Sequence, residues 1–134
     1  MTDPGFVEGV ELFRRHAWFE AHEVLELVWR AQPKGPDREL LQGLIQLAVS
    51  LEHWRRRNPR GARGQYEKGG ARLRALPERM HGLEVGRLVR DFDAFYAPRR
   101  LDERVEAQMR GEPGPEEAGP WPSPRWTSEA EEEA

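Results

Sequence analysis

The sequence predicts an all-α fold, a compact bundle or array of five or six helices with one helix buried at its centre. Three observations carry this expectation. Apolar residues recur at helical spacing through the first 110 positions, with no β alternation. Prolines and Asn-Pro or Pro-Asp steps interrupt the chain where helices of ordinary length would end and restart. One long stretch, centred on Leu44, is apolar around most of its circumference, as a central helix must be.

The first helix starts near Pro4, a residue suited to the first turn, and Phe6, Val10 and Phe13 line one of its faces. A second helix runs from about Trp18 to Ala31 and stops before Pro33-Lys34-Gly35-Pro36. The third begins at Pro36-Asp37, with Asp37 and Glu39 at the positive end of its dipole, and continues to about Arg57. Its apolar set, from Leu40 through Leu44 and Leu47 to Leu51, makes it the central element. Asn58-Pro59 reads as the cap and first residue of a fourth helix. Gly61, Gly64, Gly69 and Gly70 lie in that segment, and each costs a helix about 1 kcal/mol relative to alanine. Either they allow close approach of a neighbouring helix or the segment is irregular. Pro77 ends it. The fifth helix spans roughly Leu83 to Ala97, with Val85, Leu88, Val89, Phe92, Phe95 and Tyr96 on one face. Residues 101–109 add a short sixth.

The organisation expected is an all-helical domain over residues 1–110 and a Pro/Gly/Glu-rich tail over 111–134, either disordered or docked. The tail carries seven glutamates and one arginine, a net charge of −6 against +3 for residues 1–110. Trp121 and Trp126 are unusual in an acidic tail and point to docking on the chain's own core or on a partner.

With 134 residues the chain can bury a core without staples. It has no cysteine, so disulfide scaffolds, thiolate zinc sites, iron–sulfur clusters and cysteine nucleophiles are excluded. Met1-Thr2-Asp3-Pro4-Gly5 lacks the basic and apolar regions of a signal peptide, and no apolar run approaches the roughly 18 residues of a membrane span. A soluble, cytoplasmic protein without membrane contact is the expectation.

The second helix holds the most informative pattern. At helical spacing His22, Glu26 and Trp29 share one face, Glu23 lies beside them and Arg30 flanks them. On the third helix Gln42, Gln46 and His53 form a comparable stripe. If the two helices pack as an antiparallel hairpin, the stripes face each other. Three functional readings stand beside a structural one. His and Glu at i, i+4 can share a metal ion, with His53 or Glu23 as a third ligand. The His-Glu-x-x-His pattern fails, however, because Glu26 stands where the second histidine belongs. The one Glu-x-x-His unit, Glu78 to His81, abuts Pro77 and has no second copy to build a di-iron site. No metal or other cofactor is therefore assigned. A His22–Glu26 pair in a cleft is also an acid–base unit, and Gln42 and Gln46 beside Trp29 are the makings of a ligand pocket. The structural reading is a buried polar network that fixes helix register.

A second candidate is basic: Arg55-Arg56-Arg57, Arg60 and Arg63, with Arg72, Arg74 and Arg79 downstream. Such a run contacts nucleic-acid phosphates in some proteins. Here the core's net charge is only +3 and no groove-reading motif is present, so nucleic acid is not the expected partner. Attraction of the acidic tail and a solvated helix end are the other readings.

The segments Phe19-Glu20-Ala21-His22-Glu23-Val24-Leu25-Glu26-Leu27-Val28-Trp29-Arg30, Gly35-Pro36-Asp37-Arg38, Leu41-Gln42-Gly43-Leu44-Ile45-Gln46-Leu47-Ala48 and His53-Trp54, followed by Asn58-Pro59, form a linked set. In this set the chain resembles the small prokaryotic proteins grouped as "domain of unknown function 309", over roughly residues 6–97. The resemblance implies a compact helical fold and places His22, Glu23, Glu26, Trp29, Arg30, Gln42, Gly43 and Gln46 at the family's characteristic positions. It implies no activity. Gly64, Gly69 and Gly70 depart from the alanine- and leucine-rich helix the resemblance implies there. The function expected is that of a small helical interaction or scaffold protein, acting on an unknown protein partner or by self-association. The alternative is a small enzyme or a ligand- or metal-binding protein centred on His22 and Glu26.

Overall fold

A computed structural model describes Met1, residues 3–114 and residues 116–129. Helix α1 (Pro4–Arg14) opens with Asp3, whose side chain accepts a 2.8 Å hydrogen bond from the Gly5 amide and satisfies one of the free donors of the first turn. Phe6, Val10 and Phe13 are buried, as their spacing requires. His16, in a left-handed conformation (φ 64°), reverses the chain into α2 (Trp18–Ala31). Helix α3 (Pro36–Arg55) follows, then α4 (Pro59–Arg74), α5 (Val85–Tyr96), a 3-10 turn (Ala97–Arg99) and α6 (Leu101–Met109). The fold is all-α, as the periodicity indicates.

Helix α3 packs between α2 and α4 and is the central element. Leu40, Leu41, Leu44, Leu47, Leu51 and Trp54 are buried along it. It is not covered all round. Gln42, Ile45, Gln46, Val49 and His53 form an outer strip that stays half-buried, because α2 and α4 flank the helix without closing over it. Trp18 and Trp54 are fully buried, each worth several kcal/mol by the area it removes from water, about 25 cal/mol per Å². Ser50 is the buried polar group of α3. Its hydroxyl donates to the Ala62 carbonyl at 2.7 Å and lies 2.8 Å from the Tyr96 hydroxyl, so α3, α4 and α5 meet in one satisfied network.

Helix α4 is regular through its glycines. A methyl group on Gly69 would stand 3.0 Å from the Gly43 carbonyl oxygen, and one on Gly43 would stand 2.4 Å from Leu73 Cδ2. The two glycines let the α3 and α4 backbones approach more closely than any side chain permits. Of the two readings of these glycines, close approach is the one found.

The fifth helix begins two residues later than its apolar run suggests. Leu83–Glu84 (β2) instead pairs antiparallel with Arg79–Met80 (β1). His81 and Gly82 turn the chain with φ of 50° and 78°, the pair of positive values a tight two-residue hairpin demands. Residues 116–129 then run back across the helices. Trp121 packs edge-on against Trp18 with ring centroids 4.9 Å apart, and Trp126 against Phe6 at 6.1 Å. Trp126 also bridges to Leu83, beside hydrogen bonds from the Glu84 amide to the Arg125 carbonyl and from the Thr127 amide to the Gly82 carbonyl.

Candidate functional site

The polar stripe of α2 lies at the surface. His22 Nε2 is 3.1 Å from Glu26 Oε2, and Glu26 Oε1 accepts from Arg30 Nη2 at 2.9 Å. His22 and Glu26 are each about a third exposed (32% and 33%), so the i, i+4 ladder is solvated and not a buried network. Glu23 is exposed beside it. Trp29 is half-buried, and the Arg38 guanidinium sits 4.2 Å above its ring. Arg38 also donates to the Gln32 carbonyl at 2.8 Å, closing the corner where α2 turns into α3. The Trp29 indole N–H is buried with no acceptor among the described residues.

On α3, Gln46 Oε1 accepts from Arg72 Nε at 3.1 Å, and Arg72 Nη1 reaches Glu39 Oε2 at 2.6 Å. This bridge ties α3 to α4, away from α2. His53 Nδ1 lies 3.1 Å from the Asn58 side-chain amide nitrogen. The Asn58 oxygen caps α4 by accepting from the Gly61 amide at 3.1 Å and also takes Gln108 Nε2 at 2.8 Å. Asn58 therefore donates and His53 Nδ1 accepts, which fixes the neutral ring with its proton on Nε2. Burial holds the His53 pKa below its ordinary value, and the Arg56 charge adds to that, opposed by Glu52. Gln42 is half-buried between the two sets.

The expected stripes thus resolve into three local units: His22–Glu26–Arg30, Gln46–Arg72–Glu39 and His53–Asn58. Among the described residues no hydrogen bond joins the α2 unit to Gln42 or Gln46. Nor does any group of three or more His, Asp or Glu side chains stand together in a way that could hold a metal ion among them. His22 and Glu26 offer two ligands without a third, so the donor set does not fit a mononuclear site. A cleft of about 600 Å³ opens elsewhere, between α4, α5 and α6. It is lined by Tyr66 of α4, Asp93 and Tyr96 of α5 and Arg100 just ahead of α6, which the sequence does not bring together because the elements are distant along the chain. There the Tyr66 hydroxyl bonds Asp93, and burial together with that bond pushes the Tyr66 pKa up to about 12. The same Asp93 oxygen also accepts from Arg74 Nη2 at 2.5 Å.

The family profile described as "Domain of unknown function (DUF309)" matches residues 6–65. Over those residues the chain is similar to that family. His22, Glu23, Glu26, Trp29, Arg30, Gln42, Gln46 and His53 all fall inside the matched segment, whereas Arg72 lies beyond it. The segment ends at residue 65, short of residue 97 and just ahead of Gly69 and Gly70. An uncharacterized protein of Bacillus subtilis (strain 168), YpuF, is 35% identical over 89 residues, which are 65% of this chain and 51% of the relative. The chain thus spans about half the length of that relative. No solved structure matches. Neither the profile's description nor the relative's name assigns a function. No helix of the described residues is long and apolar enough to cross a membrane.

Proposed function

We propose that the protein is a helical interaction module whose contact face is the outward side of α2. The observation that carries this reading is the exposure of Phe19 (53%) and Leu27 (67%) on the helix that bears the His22–Glu26–Arg30 ladder. Two large apolar side chains left in water beside pre-paired charges, with exposed Glu23 midway between them along the helix, make a mixed apolar and polar surface of the kind found at protein contacts. The ladder is open rather than enclosed, which favours a macromolecular surface over a small-molecule pocket. Its charges are already matched, so a partner meets them with little reorganisation.

The test is a photo-crosslinking residue placed at Leu27 in the full chain, expressed in cells of the source organism. A discrete crosslinked species, lost when Phe19 is changed to Ser, is the expected result. Absence of any discrete species at Leu27 and at Phe19 would remove the reading.

A further inference from the structure

The groove that receives residues 116–129 is a built acceptor for an extended acidic, aromatic segment. At one end Glu117 Oε1 takes Arg99 Nε at 2.5 Å, with the Trp54 indole N–H at 3.5 Å. Arg99 is itself held over the Phe95 ring at 3.8 Å and donates to the Phe95 carbonyl at 2.6 Å. In the middle Trp121 rests on Trp18 and Phe95, and Pro122 and Pro124 are buried. At the far end the Trp126 indole donates to Glu11 at 2.7 Å, and Arg14 grips both Glu129 carboxylate oxygens at 2.6 and 2.9 Å. Rings alternate with charge clamps, and the clamps are complementary in sign.

The segment lies on the surface of the helices and not within their core. Open surface notches of about 510 Å³, beside the segment and α5, and about 420 Å³, beside Glu116–Ala118, Arg55 and Arg57, flank it. The indole N–H of Trp18, beneath Trp121, is buried without an acceptor among the described residues. The link to α6 is residues 110–115, with two glycines and two prolines, and can extend about 20 Å. An acidic aromatic segment joined by a short link to a body that carries a complementary basic aromatic groove is the layout from which identical chains exchange segments.

We propose that the groove also accepts residues 116–129 of a second copy, so that two chains pair by reciprocal exchange of this segment. Every contact made within one chain is then remade between two. The balance is set by the tether: a short link presents the segment to its own groove at a high effective concentration, on the order of millimolar. The closed single chain therefore dominates at micromolar concentration, and pairing rises as the protein approaches that range. The groove takes in Trp18 at the start of α2, next to Phe19, but uses neither Phe19 nor Leu27, and the proposal does not depend on the α2 patch.

The experiment mixes two full-length variants. One carries Trp121→Ala and Trp126→Ala and keeps the groove; the other carries Arg14→Ala and Arg99→Ala and keeps the segment. Light scattering is expected to show each variant alone at the mass of one chain and the equimolar mixture at twice that mass. A labelled peptide of residues 116–129 should bind the first variant at least tenfold more tightly than it binds the unsubstituted chain, whose groove is occupied. If the tryptophan variant does not fold, Glu117→Gln with Glu129→Gln removes the clamps and keeps the rings. A mixture that stays at single-chain mass, with both variants folded by circular dichroism, overturns the proposal, even if the peptide binds. Pairing of the arginine variant with itself overturns it as well, because the contact then lies elsewhere.

Discussion

Replacing His22 with alanine removes one partner of Glu26 and uncovers nothing buried, since both side chains are about a third exposed. An exposed pair of this kind contributes about 0–1 kcal/mol. The thermal midpoint of His22→Ala is therefore expected within a few degrees of the parent. Ser50→Ala is the contrasting change, because it leaves the Ala62 carbonyl and Tyr96 hydroxyl without their buried partner. Its expected cost is about 1–3 kcal/mol by thermal or urea unfolding. A larger loss at His22 than at Ser50 would reverse this assignment. His53 supplies a pH-dependent term. Its folded pKa is depressed, so the stability it contributes is complete above about pH 6.5 and lost as pH falls toward the folded value. A proton NMR titration should place its midpoint below 6.5, and Asn58→Ala should shift that midpoint as well as cost about 1 kcal/mol of capping. The i, i+4 pairing of His22 with Glu26 is legible in the sequence because it is local. Its exposure is not, since the depth of a helix face depends on neighbours the sequence does not place. The Ser50–Tyr96 bond, between residues 46 apart, leaves no local trace.

At the scale of elements, the α3–α4 crossing separates glycines that look alike in sequence. Gly69→Ala drives a methyl group onto the Gly43 backbone and is expected to destabilise by about 1–3 kcal/mol despite the better helix propensity of alanine. Gly64 has open space where its methyl group would go, so Gly64→Ala is expected to stabilise by up to about 1 kcal/mol. Denaturant midpoints of the two variants should move in opposite directions, and a common direction would mean that the crossing does not depend on Gly69. Helix boundaries were readable because Asp3-Pro4, Pro36 and Asn58-Pro59 carry their own start chemistry. The β1–β2 ribbon was not. Two residues per strand are too few to show alternation, and Leu83 and Glu84 continue the helical run of α5 as well as they form a strand. Only His81-Gly82 marks the turn, through a glycine that tolerates positive φ.

At the scale of the molecule, the acidic segment is bound through carboxylates whose pKa values are lowered, Glu117 by its bond from Arg99 and Glu129 by its bond from Arg14. A depressed carboxylate contributes above the ordinary glutamate value of about 4.3 and loses that contribution as pH falls through the folded value. Acid should therefore loosen residues 116–129 before it melts the helices. Tryptophan emission is expected to shift to the red and become more quenchable by acrylamide below about pH 4, while the helical circular dichroism signal persists. Simultaneous loss of both signals would mean that the segment and the helices unfold as one unit. The change in composition at Gly111 announces this segment in the sequence, and its two tryptophans announce an apolar landing place. Where they land depends on Trp18, Phe95 and Phe6 meeting on one side of the fold, which no stretch of sequence reveals.

The clamps between Arg14 and Glu129 and between Glu11 and Trp126 join residues 115 positions apart, whereas α1–α2, α2–α3 and α3–α4 are successive hairpins. Short-range contacts form early because little chain entropy is lost in closing them, and distant ones wait. The helices of each newly made chain should therefore assemble while the groove is still bare. In that interval neighbouring chains emerging from one message stand closest together, and the groove is open to whichever copy of the segment arrives first.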